Sequence, residues 1–184
     1  FQREELLIGK EGLDKLKKSK IIVYGIGGVG SFVVEGLVRA GVENIVLVDF
    51  DVIDITNINR QLPALHSTVG RDKVEVMKER ILDINPDINI KAINAKYTSE
   101  NSEEILCENY DYVVDAIDTV TGKIGLVMQA NAAGTPIISS MGAGNKMNPA
   151  MFEVADTPAF MQGCIFTIDR DTGKTVNVEA ITVR

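Results

Sequence analysis

The sequence has few cysteines, no long apolar run and no Walker-type phosphate loop. Its two cysteines, Cys107 and Cys164, form no CxxC pair, so neither a disulfide framework nor a four-thiolate zinc site is indicated. The apolar runs fall short of the ~20 residues that span a bilayer, and no signal-peptide pattern opens the chain. We therefore expect a cytoplasmic protein. The missing GxxxxGK[ST] motif argues against a kinase or GTPase of that kind.

Basic residues are in the minority, with 19 lysines and arginines against 26 acidic residues and a net charge of −7. Because general nucleic-acid binders are normally basic, this balance argues against that role for the chain as a whole, although a local basic groove is compatible with it. A chain of 184 residues, 45% of them hydrophobic, is long enough to bury a real core. The first residue is Phe1 rather than methionine, so we expect a few residues upstream.

A glycine-rich turn is the most informative stretch. Residues 21–31, IIVYGIGGVGS, are an apolar run that ends in glycines and leads into a helix-like sequence. Gly25, Gly27 and Gly30 follow the spacing GxGxxG, with Gly28 between them. A buried strand that enters a helix through such a turn presents backbone N–H groups and the helix dipole to an anion, and so predicts phosphate binding. The pattern alone does not distinguish a dinucleotide, a flavin or ATP.

Apolar runs alternate with helical patterns over the first 140 residues. Residues 4–18 predict one helix or two short ones; strands are predicted at 20–24, 44–49, 89–95, 111–116 and 136–140, and helices at 30–39, 73–84, 99–107 and 120–133. This alternation predicts a Rossmann-like, doubly wound α/β fold with a mainly parallel sheet. Residues 165–169 and 175–183 predict a short antiparallel hairpin. We assign residues 1–150 to a nucleotide-binding domain and residues 151–184 to a strand extension of the same domain.

Polar residues follow the second predicted strand. Asp49 ends that strand nineteen residues after Gly30, where an acid of a Rossmann-type domain reaches the ribose hydroxyls. Asn57 and Arg60 lie in the polar passage that follows. Because α/β proteins build their sites at the carboxyl ends of parallel strands, both are candidate ligand contacts.

Two further charged residues complete the candidate site. Asp72 is placed to cap the helix at 73–84, which puts Lys73 in its first turn, an unfavourable position for a cation in the helix dipole. We interpret Lys73 as an anion ligand for that reason. Asp115 and Asp118 end the fourth predicted apolar strand, which should point to the same edge of the sheet as the glycine turn and Asp49. One reaction that such a set of residues suits is the transfer of AMP from ATP to the carboxylate of a substrate. It needs protein cations for the phosphates and a protein carboxylate for Mg²⁺, but it needs no protein nucleophile.

Six motifs carry a more specific resemblance: GIGGVGS, LVDFDVID, TNINRQ, VGRDKVE, DAIDTVTGK and SSMGAGNK. Together they resemble the ubiquitin-activating-enzyme-like adenylating family over residues 1–156. The segment SSMGAGNK, with ELLIG near the start, is most similar to the branch of bacterial tRNA threonylcarbamoyladenosine dehydratases. Members of the family usually carry a longer tail, and the sequence after Asp156 departs from their pattern.

The resemblance implies a role for each candidate residue. The turn residues Gly25, Gly27, Gly28 and Gly30 would line the phosphates of ATP, and Asp49 would bind the ribose. The triphosphate would be held by Asn57, Arg60 and Lys73, and Asp118 would coordinate Mg²⁺. Arg3 would reach the γ-phosphate in the neighbouring subunit of a homodimer. Arg60, Lys73, Asp118 and Arg3 would be the catalytic set.

The resemblance also implies a reaction. ATP would activate the threonylcarbamoyl carboxylate on an anticodon-adjacent adenosine of tRNA, and the acyl-adenylate would cyclise with loss of AMP. An alternative is an adenylyltransferase that activates the C-terminus of a ubiquitin-like sulfur-carrier protein, with a sulfur-carrier or cysteine desulfurase system as partner. The missing CxxC pair disfavours it. An NAD-dependent oxidoreductase or a non-catalytic nucleotide sensor would leave the cluster of Asn57, Arg60 and Lys73 unexplained.

Overall fold

The computed structural model describes residues 1–98, 101 and 109–141, together with the backbone of residues 161–168 and 175–183. Backbone contacts divide the chain into two compact units, Phe1–Gly142 and Ala143–Arg184. The predicted helix at 99–107, which contains Cys107, lies outside the described residues except at residue 101. The division at residue 150, and the assignment of residues 151–184 as an extension of the same domain, stay predictions.

Helices and strands alternate through the first unit. In chain order they are α1 (Gln2–Lys18), β1 (Lys20–Tyr24), α2 (Gly30–Arg39), β2 (Asn44–Asp49), a 3₁₀ turn (Ile55–Asn57), α3 (Lys73–Ile84), β3 (Asn89–Asn94), β4 (Tyr112–Asp115), α4 (Val120–Ala132) and β5 (Ile137–Ser139). In the second unit, β6 (Met161–Ile168) and β7 (Thr175–Val183) pair antiparallel, with Cys164 opposite Ala180.

The five strands of the first unit form one parallel sheet in the order β3-β2-β1-β4-β5. The connections therefore change direction between β1 and β4, which is where doubly wound proteins bind their ligands. The strands end level, since Tyr24 of β1 pairs with both Val48 and Asp115, and Asp115 pairs with Ser139. The predicted Rossmann-like parallel fold is confirmed.

Both faces of the sheet are covered by apolar side chains. Along β1, Ile21 and Val23 pack into a core with residues of α2 and α3, whereas Ile22 and Tyr24 pack on the opposite face with residues of α4. Burial on both faces explains why β1 and β2 are continuous apolar runs rather than alternating ones.

The N-terminal helix is interrupted at Gly9, whose φ of 73° and ψ of 168° are not helical. Of the two predicted alternatives, two short helices are therefore correct. Leu13 of the second segment is buried and lies against Gly41, whereas Leu6 and Leu7 of the first segment are exposed. Within the part of the chain that the structure describes, no helix is both long enough and apolar enough to cross a membrane.

The start of α3 differs from the prediction in one respect. Asp72 occupies the N-cap position, but its side chain makes no cap hydrogen bond, so its predicted capping role is wrong. Instead, the backbone of Asp72 forms an antiparallel bridge with Val52, flanked by a bond from the Ile53 N–H to the Arg71 carbonyl at 2.8 Å. This bridge folds the polar passage after β2 back onto the start of α3.

An ion pair joins α2 to α3 on the outer surface. The Arg80 guanidinium donates to both oxygens of Glu35 at 2.7 and 3.0 Å, and Arg39 donates to Glu35 at 2.8 Å. These bonds, those from Arg80 most of all, hold the pKa of Glu35 below its usual value.

Gly30→Ala tests the contact between the start of α2 and the end of β1. A Cβ at residue 30 would overlap the carbonyl oxygen of Gly25, which is backbone and cannot move aside. We expect the variant to lose at least about 3 kcal/mol of unfolding free energy, measured by urea denaturation.

Gly36→Ala is the matched control on the same helix. A Cβ at residue 36 meets no atom within 4 Å, so alanine should stabilise the protein by about 0.5–1 kcal/mol. Equal unfolding free energies for the two variants would contradict the packing described for the turn.

Candidate nucleotide-binding site

The glycine turn is wedged between the ends of β1 and β4. Gly25 has a φ of +86°, and a Cβ there would lie 2.7 Å from the carbonyl oxygen of Ala116. The N–H of Ala116 donates to the Tyr24 carbonyl at 2.8 Å, which holds the two strand ends together. α2 begins at Gly30, directly after this turn, so the N-terminus of the helix lies at the crevice between β1 and β4. This is the geometry that binds phosphate.

Asp49 fastens the turn to the end of β2. Its carboxylate is 9% exposed and accepts hydrogen bonds from the backbone N–H of Ile26 at 2.6 Å and from that of Asp51 at 2.8 Å. Sequence reasoning predicted a contact with ribose and missed this bracing role. The two roles are compatible because each carboxylate oxygen can accept a second hydrogen bond.

The segment around Arg60 packs directly on the turn. A Cβ at Gly28 would lie 3.4 Å from Cγ of Arg60. The Ser31 hydroxyl donates to the Gly27 carbonyl at 2.6 Å and accepts from the Leu62 N–H at 3.3 Å, which joins this segment to the first turn of α2. The Arg60 guanidinium is exposed and donates to the Thr56 carbonyl at 2.9 Å. The structure thus brings this predicted cation to the predicted phosphate site.

Asn57 is buried and shapes the polar passage. Its side-chain oxygen accepts from the Asp54 N–H at 3.1 Å, and the Asp54 carboxylate accepts from the Thr56 N–H at 2.8 Å, which together form a capping box. The Asn57 carbonyl accepts from the N–H groups of Arg60 and Gln61 at 3.1 and 3.0 Å. Asn57 therefore positions Arg60; its predicted contact with the triphosphate stays a prediction.

Gln61, the last residue of the TNINRQ motif, has a role at the turn that the sequence did not predict. It is 8% exposed, its side chain lies next to Gly27, and its oxygen Oε1 is buried without a hydrogen-bond partner. Buried polar atoms are nearly always paired. Its position directly after Arg60, a predicted site residue, is the feature of the sequence that could have identified Gln61.

Lys73 is joined to the site through Asp51. Its ammonium donates to the Asp51 carboxylate at 2.7 Å, with side-chain exposures of 6% for the lysine and 46% for the aspartate. The Lys73 N–H also donates to the Asp51 carbonyl at 3.1 Å. Sequence reasoning missed Asp51, although its place two residues after Asp49 was a usable signal. The carboxylate explains how a cation is stable in the first turn of α3.

Asp115 and Asp118, at the end of β4, have different environments. Asp118 is exposed in the loop before α4, whereas Asp115 is fully buried. Both oxygens of Asp115 accept from the Lys123 ammonium at 3.2 Å, and Asp115 also accepts from the Ser139 hydroxyl and from the Ile117 N–H at 3.1 Å. Lys123 was not predicted. Its sequence signal was a lysine eight residues after an acid that ends an apolar strand.

Arg3 lies apart from the other predicted residues. It lines a surface depression with Phe1 and Arg39, at the C-terminal end of α2. The glycine turn is at the opposite end of this ten-residue helix, about 15 Å away. The structure therefore does not bring Arg3 to the site of its own subunit, and its predicted contact with a neighbouring subunit stays a prediction.

The strand order and the glycine turn at the switch point define a Rossmann-like nucleotide-binding domain. The sequence model of the ThiF family matches residues 1–183. The chain therefore belongs to the ThiF family.

The proteins similar to this chain include tRNA threonylcarbamoyladenosine dehydratases and, at lower coverage, an adenylyltransferase. A tRNA threonylcarbamoyladenosine dehydratase from Bacillus subtilis (strain 168) is 53% identical over 85% of this chain and 61% of its own length. The crystal structure of the Escherichia coli dehydratase in complex with ATP has a TM-score of 0.83 at 38% identity, covering 85% of this chain and 64% of that one. A molybdopterin-synthase adenylyltransferase from Haemophilus influenzae is 39% identical over 70% of this chain and 53% of its own length.

These comparisons confirm the resemblance to the adenylating family and, within it, to the dehydratase branch. The chain spans less than two thirds of the length of the dehydratases it matches, at 61% and 64%.

Gln61→Met tests whether the orphaned amide is a cost to the protein. Methionine has a similar length and no group that needs a hydrogen bond, so we expect the unfolding free energy to rise by about 1 kcal/mol in urea denaturation without nucleotide. Gln129→Met is the control, because the Gln129 oxygen accepts from the Tyr97 hydroxyl at 2.9 Å. That variant should lose stability. A loss of similar size in Gln61→Met would show that its amide is paired.

Proposed function

We propose that this chain contains the ATP-binding domain of a tRNA threonylcarbamoyladenosine dehydratase. The observation that carries the proposal is the glycine turn at the switch point of the sheet, which is in contact with Asp49 and Arg60. The proposal places Lys73 and Asp118 at the same crevice. A site that binds ATP and holds two cations beside its phosphates is suited to transfer of AMP to a carboxylate. The 53% identity to the Bacillus subtilis dehydratase supports the choice of substrate.

Each residue has a part in the proposed site. Gly25, Gly27, Gly28 and Gly30 leave the backbone N–H groups of the turn open to the phosphates, and Asp49 binds the ribose. Asn57, Arg60 and Lys73 hold the triphosphate and stabilise pyrophosphate as it leaves. With ATP bound, the Lys73 ammonium would contact a phosphate oxygen rather than the Asp51 carboxylate.

Asp118 is the proposed ligand of Mg²⁺. Among residues 1–98, 101 and 109–141 there is no group of three or more histidine, cysteine, aspartate or glutamate side chains placed to hold a metal. That fits magnesium, which is commonly held by one or two carboxylates together with water and the phosphates of the substrate. The ion would neutralise phosphate charge, and the protein would supply the exposed Asp118 carboxylate at the edge of the crevice.

The reaction proceeds in two steps. The substrate carboxylate attacks the α-phosphorus of ATP, which forms an acyl-adenylate and releases pyrophosphate. The carbamoyl end of the same group then attacks the activated carbonyl carbon, loses a proton to water and expels AMP as the bond from that carbon to the phosphate oxygen breaks. Because nucleophile and electrophile belong to one group, ring closure gains a large effective molarity and needs no protein nucleophile.

The wider assembly is part of the proposal. The protein is a cytoplasmic homodimer in which Arg3 contacts the γ-phosphate bound by the neighbouring subunit. Residues 1–150 are the adenylation domain, and residues 151–184 extend it. A sulfur-carrier or cysteine desulfurase system is a candidate partner.

Arg60→Ala and Asp118→Ala test the site. We expect each to reduce AMP formation at least about 100-fold with ATP, Mg²⁺ and tRNA bearing threonylcarbamoyladenosine, because each removes charge that the transition state requires. Arg71→Ala and Asp83→Ala are the controls, since both side chains are exposed on or beside α3, and both should keep activity. Near-normal turnover in either site variant would refute its assignment.

A parallel reaction with a ubiquitin-like sulfur-carrier protein in place of tRNA distinguishes the alternative. If only the carrier supports pyrophosphate exchange, the chain belongs to an adenylyltransferase and the dehydratase proposal is wrong.

Mixed dimers test the role of Arg3. Arg3→Ala and Arg60→Ala should each be inactive alone, because every site then lacks one residue. After the two proteins exchange subunits, each mixed dimer holds one complete site, formed by an Arg3→Ala subunit with the Arg3 of its partner, so AMP formation should return. No recovery in mixtures shown by native mass spectrometry to contain mixed dimers would refute a contact between subunits.

A further inference from the structure

A buried ion pair, Asp115–Lys123, flanks the loop that carries Asp118. The Asp115 carboxylate is 0% exposed and takes hydrogen bonds from Lys123, Ser139 and the Ile117 N–H. A buried charge is expensive unless it is paired and hydrogen-bonded, and both oxygens of Asp115 meet that condition.

The Lys123 ammonium ties three elements together. Two of its contacts are with the oxygens of Asp115 at the end of β4, and another is with the Ser140 carbonyl, directly after β5, at 2.5 Å. Lys123 itself is in the first turn of α4, where its N–H donates to the Thr119 carbonyl at 3.0 Å. A cation is unfavourable at the N-terminus of a helix, so the buried carboxylate accounts for its position.

The pair encloses the loop from both sides. Asp115 precedes residues 116–119 and holds their start through the Ile117 N–H, and Lys123 holds the helix that follows them. Asp118 lies in the middle of this short loop. The loop also forms one wall of the crevice, because the Ala116 carbonyl is in contact with Gly25. The Asp115–Lys123 pair therefore joins the two ends of the loop that carries Asp118.

We infer that Lys123 is a positioning residue that fixes Asp118 for its metal ion through Asp115. The inference rests on the proposed function of Asp118 and adds a residue to it. Lys123 does not contact ATP or the metal; it determines where the Asp118 carboxylate stands.

Lys123→Met is the primary test, because methionine replaces most of the chain and removes the ammonium. ATP affinity is measured by calorimetry twice, with Mg²⁺ and with EDTA. We expect binding in the presence of Mg²⁺ to weaken about tenfold or more, and binding in EDTA to change less than about twofold, so that the gain in affinity from Mg²⁺ is lost. If Lys123 had only a structural role, its replacement would lower the ATP affinity equally with Mg²⁺ and with EDTA, or would change neither.

Companion variants keep the test decisive if Lys123→Met does not fold. Asp115→Asn combined with Lys123→Met leaves no buried charge unpaired and should show the same loss of the Mg²⁺ effect. Lys123→Arg keeps the cation and should retain most of it. Arg80→Met is the matched control, since it breaks the Arg80–Glu35 ion pair away from the loop and should leave both affinities unchanged.

Asp118→Asn separates failure of the inference from failure of the proposed function. If Asp118→Asn loses the Mg²⁺ effect while Lys123→Met or the double variant keeps it, the inference is wrong and the metal assignment stands. If Asp118→Asn keeps the Mg²⁺ effect, Asp118 is not the metal ligand, and the inference is refuted with it.

Discussion

The close contact between Gly30 and the Gly25 carbonyl determines the geometry of this site. No side chain fits between the end of β1 and the start of α2, so the helix begins as near to the sheet as backbone atoms allow. The turn is then fixed from two more directions, by Asp49 of β2 through the Ile26 N–H and by the Ala116 carbonyl after β4. An anion site made of backbone groups needs this rigidity because it has few side chains to adjust.

Most of the fold could be predicted because its causes are local. The continuous apolar runs of β1 and β2 indicate strands that are buried on both faces. Because helical patterns alternate with the strands, the strands are expected to run parallel with helices on both faces of the sheet. The strands at 89–95, 111–116 and 136–140 were predicted one or two residues too long, and some of the extra end residues still bond to the neighbouring strand, as the Ser140 N–H does to the Asp115 carbonyl. The capping role of Asp72 was wrong because its backbone is drawn into a bridge with Val52, a contact that composition does not reveal.

The site was predictable to the extent that it follows from the sheet. Residues that end parallel strands meet at one edge, so Asp49 and Asp118 could be assigned to the crevice before any coordinates. The ion pairs that lie beside these two residues could not be predicted from the sequence. The Asp51–Lys73 pair depends on how the polar passage folds back, and the Asp115–Lys123 pair depends on where α4 crosses the sheet. Both acids lie close in sequence to a predicted residue, yet their pairing with Lys73 and Lys123 is visible only in the tertiary structure.

The Asp51–Lys73 pair has a consequence for how an anion enters the crevice. The lysine side chain is almost fully buried while its carboxylate partner is nearly half exposed, so water reaches the carboxylate much more readily than the ammonium. A phosphate oxygen that binds Lys73 must displace the Asp51 carboxylate, which is exposed enough for water to solvate it once it is displaced. In the proposed site, Asp51 is therefore the counter-ion that the phosphate replaces, and in the structure it holds the lysine in place.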